Sequence, residues 1–179
     1  ACQTITGNHP EKSLAEIYAD SFTDRGKELL ELSSIAVADA WFTKKPFIDA
    51  ICGAGFRFVG RMRDDANLKY LYAGPRKPGR GRPRVYDGKV DHKDIKAGYF
   101  HEVELADGTR ATTAVVYAVS LKRKIRVVRV SAGKTHKLYF STDTGMGPAD
   151  IVRYYRLRFQ IEFIYRDAKQ FTGLENCQA

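Results

Sequence analysis

Four residues near the C-terminal end of the chain, Tyr155, Arg158, Glu162 and Lys169, recur at spacings of three, four and seven. At about 100° per residue they share an arc of about 60° on a helical wheel. A second stripe, Leu157, Ile161, Ile164, Ala168 and Phe171, is apolar and lies more than about 90° away. The apolar stripe is expected to pack this helix on a sheet, leaving the polar stripe as a separate surface. Glu162 has Arg158 one turn before it and Arg166 one turn after it. Nearby cations favour the charged form of a carboxylate. An ionised carboxylate in a basic setting can hold a divalent cation while its neighbours hold phosphate oxygens. The same spacings also describe a solvated helix with salt bridges three and four residues apart.

The pattern Tyr155-x2-Arg158-x3-Glu162-x6-Lys169, set in RFQIEFIYRDAKQ, resembles the Tyr-Arg-Glu-Lys signature of DDE-type insertion-sequence transposases. Upstream, SSIAVADAWFTKKPFIDAI resembles the segment carrying that family's second catalytic Asp, at a strand end before a helix. The resemblance implies that Asp39 and Glu162 are the second and third catalytic carboxylates and bind metal. It implies that Tyr155, Arg158 and Lys169, helped by Arg166, hold DNA phosphates near the cleaved bond. The implied fold is α/β, an RNase H-like catalytic core with an inserted antiparallel β region before the final catalytic helix. The implied reaction is metal-dependent phosphodiester cleavage at transposon ends, followed by strand transfer into target DNA. Two ions, Mg²⁺ or Mn²⁺, about 4 Å apart would stabilise the attacking and leaving oxygens. A dimer in the DNA complex is implied as well.

The family's first catalytic Asp has no counterpart. Only 38 residues precede Asp39, and Asp20 and Asp24 fall within a helical pattern. The expectation is a core incomplete at its N-terminus, a fragment or truncated copy, with ACQTIT as the tail of a preceding strand. Two other readings stand beside the transposase: a catalytically inactive DNA-binding remnant, and a hydrolytic metal-dependent nuclease of the same fold. Asp143, in YFSTDTG, is a further carboxylate, read as a cap of the final helix or a lead into it.

The elements that must position these residues follow from local pattern. Residues 13–32 read as a helix, opened by Ser13 with Glu16 three later, a capping box. SSIAVADAWF reads as a buried strand ending near Asp39, 44–54 as a helix, and FRFVGRMR as a second strand. Strand, helix, strand with short connections implies a parallel pair. From Tyr99 to about Asp143 the chain alternates apolar and polar, with turns at ADGT and SAGKTH, as antiparallel strands do. The division expected is 1–63 as the partial core, 64–142 as a basic loop and inserted β region, and 143–179 as the final helix.

Lys and Arg number 30 against 21 Asp and Glu, a formal charge of +9. That balance points to a polyanionic partner, and double-stranded DNA, as transposon end and as target, fits it. The charge is concentrated in AGPRKPGRGRPRVYDGK, a loop by its Pro and Gly content. Arg76, Lys77, Arg80, Arg82 and Arg84 are its expected DNA contacts. GRGRPR resembles the core of an AT-hook, although backbone contact is the commoner use of such cations. Cys2, Cys52 and Cys177 are too far apart in sequence for a disulfide framework or a zinc motif, and the cytoplasm is the expected compartment. No apolar run is long enough to span a membrane.

Overall fold

The computed structural model of the chain describes residues 12–75, 81–133 and 135–172. Helix α1 (Leu14–Asp24) carries the expected capping box: the Ser13 backbone N–H donates to Glu16 Oε2 at 2.8 Å and its hydroxyl at 2.7 Å. The helix expected over 13–32 breaks at Arg25, whose φ of −110° and ψ of 16° separate α1 from α2 (Gly26–Leu32). Strand β1 (Ile35–Ala38), a 3-10 turn over Ala40–Phe42, helix α3 (Lys45–Gly53) and strand β2 (Arg57–Met62) follow. β1 and β2 run parallel, as their short crossover requires.

The remaining strands are β3 (Leu68–Leu71), β4 (Tyr86–Lys89), β5 (His101–Glu104), β6 (Arg110–Ala118), β7 (Arg123–Ala132) and β8 (Thr135–Ser141). The last four occupy the alternating stretches. β4 corrects the sequence reading, which left YDGK in the basic loop. It is a short edge strand, and its register against β3 slips between Lys69 and Leu71. Gly88, at φ +96°, sits in that slip and absorbs the extra residue.

All eight strands form one sheet, in the order β1-β2-β8-β7-β6-β3-β4, with β5 beside β6. β8 joins β2 antiparallel, with Gly60 opposite Phe140. β3 to β8 therefore continue the sheet that begins with the parallel pair. β1 is an edge strand, and β2 is its one strand partner among the described residues. ACQTIT, expected as the tail of a further strand, lies outside the described residues.

Helices pack on both faces of the sheet. On one, Phe47, Ile48 and Ile51 of α3 bury against Phe58, Phe140 and Val127. On the other, Ile151 and Val152 of helix α4 (Pro148–Leu157) bury against Val59, Val128 and Tyr139. This two-sided burial explains why β7 reads as near-continuous apolar sequence, with Ile125, Val127, Val128 and Val130 all buried.

The single final helix of the sequence reading is two helices, α4 and α5 (Gln160–Thr172). Between them the N–H groups of Arg158, Phe159, Ile161 and Glu162 donate to carbonyls three residues back, at 3.1 to 3.2 Å. That is 3-10 geometry, which turns about 20° further per residue than an α-helix. The faces of α5 are thus rotated away from those of α4. The apolar stripe does not pack on the sheet as expected: Leu157, Ile161, Ile164 and Phe171 are 50, 61, 67 and 82 % exposed. The residues that anchor the C-terminal helical region lie a turn earlier, at Ile151 and Val152. No helix among the described residues is long and apolar enough to cross a membrane.

Candidate active site

Asp39 directly follows β1, whose last residue, Ala38, is aligned with Gly60 of β2. Its backbone is extended, and its Oδ1 accepts the Trp41 N–H at 2.9 Å, so the carboxylate caps the 3-10 turn. Oδ2 has no protein partner among the described residues. The turn is tied to β2 by the Thr43 hydroxyl, which donates to the Arg61 carbonyl at 3.0 Å. Beside it lies a shallow groove lined by Ala40, Arg61, Met62, Arg63, Asp64 and Asp65. Asp64 and Asp65 serve local ion pairs there, with Arg61 at 3.9 Å and Arg63 at 3.2 Å.

The Tyr-Arg-Glu-Lys residues straddle the junction of α4 and α5. Tyr155 is half-buried and packs on Tyr139 of β8, ring centroids 4.8 Å apart. Sequence reasoning passed over Tyr139, although the alternation in KLYF sets it opposite Leu138 and Phe140. Burial pushes its phenol pKa up, so it stays neutral and apolar beneath Tyr155. Ile35 and Val37 of β1 join the same apolar cluster as Ile151, Val152 and Tyr155. The strand that ends at Asp39 and the helix that leads to Glu162 therefore share one core.

Arg158 stands over the Tyr155 ring, 5.7 Å from its centroid, and its Nη2 meets Glu162 Oε1 at 3.3 Å. Glu162 itself is exposed, so this pair contributes little to stability. Arg158 Nε is different: it is buried and has no hydrogen-bond partner among the described residues. A guanidinium N–H held out of water without an acceptor is costly to leave unsatisfied. A phosphate oxygen would satisfy it once the guanidinium turned outward, since the atom is closed to solvent as it stands. Arg166 lies 3.8 Å from Asp167 and 4.9 Å from the Phe163 ring, and Lys169 Nζ stands 5.0 Å from the Tyr165 ring. Because the 3-10 junction changes the helical phase, the 60° arc computed for one straight helix does not carry across from Tyr155 to Lys169.

Asp143 is not the cap of the final helix. Gly147 holds that position, and Asp143 Oδ1 instead accepts the Gly145 N–H at 2.8 Å within a turn. Arg126 and Arg129 lie on opposite faces of β7, as their parity requires: Arg126 donates to the Thr144 carbonyl at 2.7 Å and Arg129 to that of His92 at 3.2 Å. In the basic loop, Arg76, Lys77 and Arg80 lie outside the described residues. Arg82 is exposed. Arg84 braces the base of the β3–β4 hairpin, through the Tyr86 carbonyl at 3.0 Å, Asp87 and the Tyr72 ring.

Among the described residues, no three His, Cys, Asp or Glu side chains gather as a metal-binding group. Asp39, after β1, and Glu162, on α5, are oxygen donors of the kind a hard divalent ion takes, one or two at a time, beside waters and substrate phosphates. No match was found among proteins of curated function. The family profile described as Transposase DDE domain matches residues 8–179. With nearly the whole chain so matched, and with its mixed α/β architecture of helices on an eight-stranded, mostly antiparallel sheet, the chain belongs to the DDE transposase family.

Proposed function

We propose that this transposase domain cleaves phosphodiester bonds at transposon ends and joins the freed 3′-hydroxyl to target DNA, on an RNase H-like core. Asp39 and Glu162 are the metal-binding carboxylates. Tyr155, Arg158 and Lys169 contact DNA phosphates beside the cleaved bond, and Arg166 assists. The reading is supported above all by the orphan Nε–H of Arg158, a buried cationic donor adjacent to Glu162 and aligned on Tyr155. Family members use divalent metals, and a bound ion supplies Lewis-acid stabilisation of charge on the phosphoryl oxygens. The protein's own part is positioning. Tyr139 holds Tyr155, Tyr155 carries Arg158, and Arg158 keeps Glu162 within reach while presenting N–H groups to a phosphate.

The test is Glu162→Gln in the protein that carries this domain, assayed on duplex DNA bearing its element's own ends with Mg²⁺ or Mn²⁺. The substitution removes a metal ligand and keeps the side-chain volume. Cleavage should fall by at least about 100-fold, the size of effect that loss of an electrostatic stabiliser produces, while duplex affinity stays within about twofold. Cleavage at the parent rate would refute the assignment of Glu162.

A second reading, a DNA-binding protein without catalysis, is favoured by the lack of a three-carboxylate cluster among the described residues. Metal-independent DNA binding with no cleavage products from the parent protein would establish it. Cleavage without joined products would instead identify a hydrolytic nuclease.

A further inference from the structure

Among the described residues, nothing covers the far end of the sheet face that carries α4, and the strand registers put a row of cations there. Lys89 pairs with Lys69, Lys69 with Tyr117, and Tyr117 with Lys124, across β4, β3, β6 and β7. Directly paired residues project from the same face. With strands about 4.8 Å apart, the row is about 14 Å long. Tyr86 borders it, its ring 4.8 Å from that of Tyr117 and 5.2 Å from Lys69 Nζ. The alternate residues Tyr70, Val116 and Ile125 point the other way, into the core cluster that residues of α1 and α3 also join. α4 covers this face only as far as Val128, four residues or about 13 Å from Lys124 along β7.

We propose that this open end of the sheet is a sequence-independent binding surface for the phosphate backbone of duplex DNA, separate from the candidate active site. The row contains three cations and no acid. Lys69, Lys89 and Lys124 have no ion-pair partner among the described residues, whereas Lys45 and Lys96 each hold an Asp. Lys89 and Lys124 are exposed, and Lys69 is half-buried with its ammonium against the Tyr86 ring. Three like charges held side by side repel one another, so the row is most stable with an anion across it. A point-charge ammonium suits a phosphate, and the row holds none of the Arg, Asn or Gln forks that read base edges. The segment that holds the basic loop joins β3 to β4, two of the strands that carry the row.

The proposal rests on the transposase reading for its partner, DNA, and the experiment separates the two. Binding of mixed-sequence duplex DNA is titrated against salt for the full chain, for the triple variant Lys69→Gln, Lys89→Gln, Lys124→Gln, and for the matching triple Lys→Arg variant. A double Lys89→Gln, Lys124→Gln variant, altering only exposed side chains, guards against misfolding. Each phosphate contact contributes about 0.9 to the slope of log affinity against log salt, so the triple Gln variant should flatten it by about 2 to 3 and the double by about 2. The Arg variant should retain the parent slope. A steep parent slope left unchanged by both Gln variants would overturn this surface and leave DNA binding standing. Altered self-association with an unchanged slope would assign the face to a second copy and also overturn it. A parent chain with no salt-dependent duplex binding would overturn the DNA reading itself.

Discussion

Gly60 is where the structure makes its most exacting demand on a single residue. It lies in β2, flanked by Ala38 of β1 on one side and Phe140 of β8 on the other. A Cβ at this position would stand 2.6 Å from Phe58 Cε1, and 3.1 Å from both Phe58 Cζ and Phe140 Cε1. Neither ring can retreat. Both are fully buried, 5.7 Å apart, and Phe58 also packs against Phe47 at 6.0 Å. Gly60→Ala therefore forces Phe58 off its rotamer or β2 away from its neighbours, and overpacking of this kind costs about 1 to 3 kcal/mol. The lower chain entropy of the unfolded alanine variant offsets about 0.4 to 1 kcal/mol. A net loss of about 1 to 2 kcal/mol remains, which in a chain of this size lowers Tm by about 2 to 8 °C. The measurement is urea unfolding with parallel calorimetry on the parent, Gly60→Ala, Phe58→Leu and the double variant. The smaller leucine should relieve the clash, leaving the double variant at least about 0.5 kcal/mol more stable than additivity predicts. Because Gly60 is paired with the residue before Asp39, the single variant should also lose DNA cleavage in the protein that carries this domain. A Gly60→Ala chain as stable as the parent would refute the packing argument.

Ile151→Ala should cost about 2 to 5 kcal/mol, as expected for a fully buried aliphatic, while Ile164→Ala, 67 % exposed, should stay within about 0.5 kcal/mol; equal losses would mean that α5 is packed as firmly as α4. Asp107 accepts from Arg156 at 2.7 Å and also bonds Thr109, which together hold its carboxyl at about 2. Since the folded value is depressed, the stabilisation is complete above the unfolded value of about 3.9 and is lost as pH falls toward about 2. The difference in urea midpoint between the parent and Arg156→Gln should therefore be constant at neutral pH and shrink between about pH 4 and 2; a difference independent of pH would remove the pair from the stability of the β5–β6 turn.

The capping box at Ser13, the parallel β1–β2 pair and the four strands β5 to β8 were all legible in the sequence, because each is written in local spacing. Ser13 and Glu16 are one helical turn apart, and alternation with period two declares a half-buried strand whatever it later pairs with. The Tyr-Arg-Glu-Lys spacing and the segment around Asp39 pointed to the family that residues 8–179 match, while the roles of the individual residues stand as a proposal. Tertiary structure decided the rest. β4 is four residues long, starts among prolines and arginines, and becomes a strand only because β3 offers it an edge. The last helical stretch looked continuous because its apolar residues keep helical spacing, yet a few i−3 hydrogen bonds suffice to turn α5 away from the sheet. Lys69, Lys89 and Lys124 are scattered over 56 residues of sequence, and only the registers of three strand pairs put them in one row. Spacing along a chain specifies which faces are apolar. Which face meets which, and what charge is left facing outward, depends on pairings between strands distant in sequence, and those are settled only when the whole sheet closes on its core.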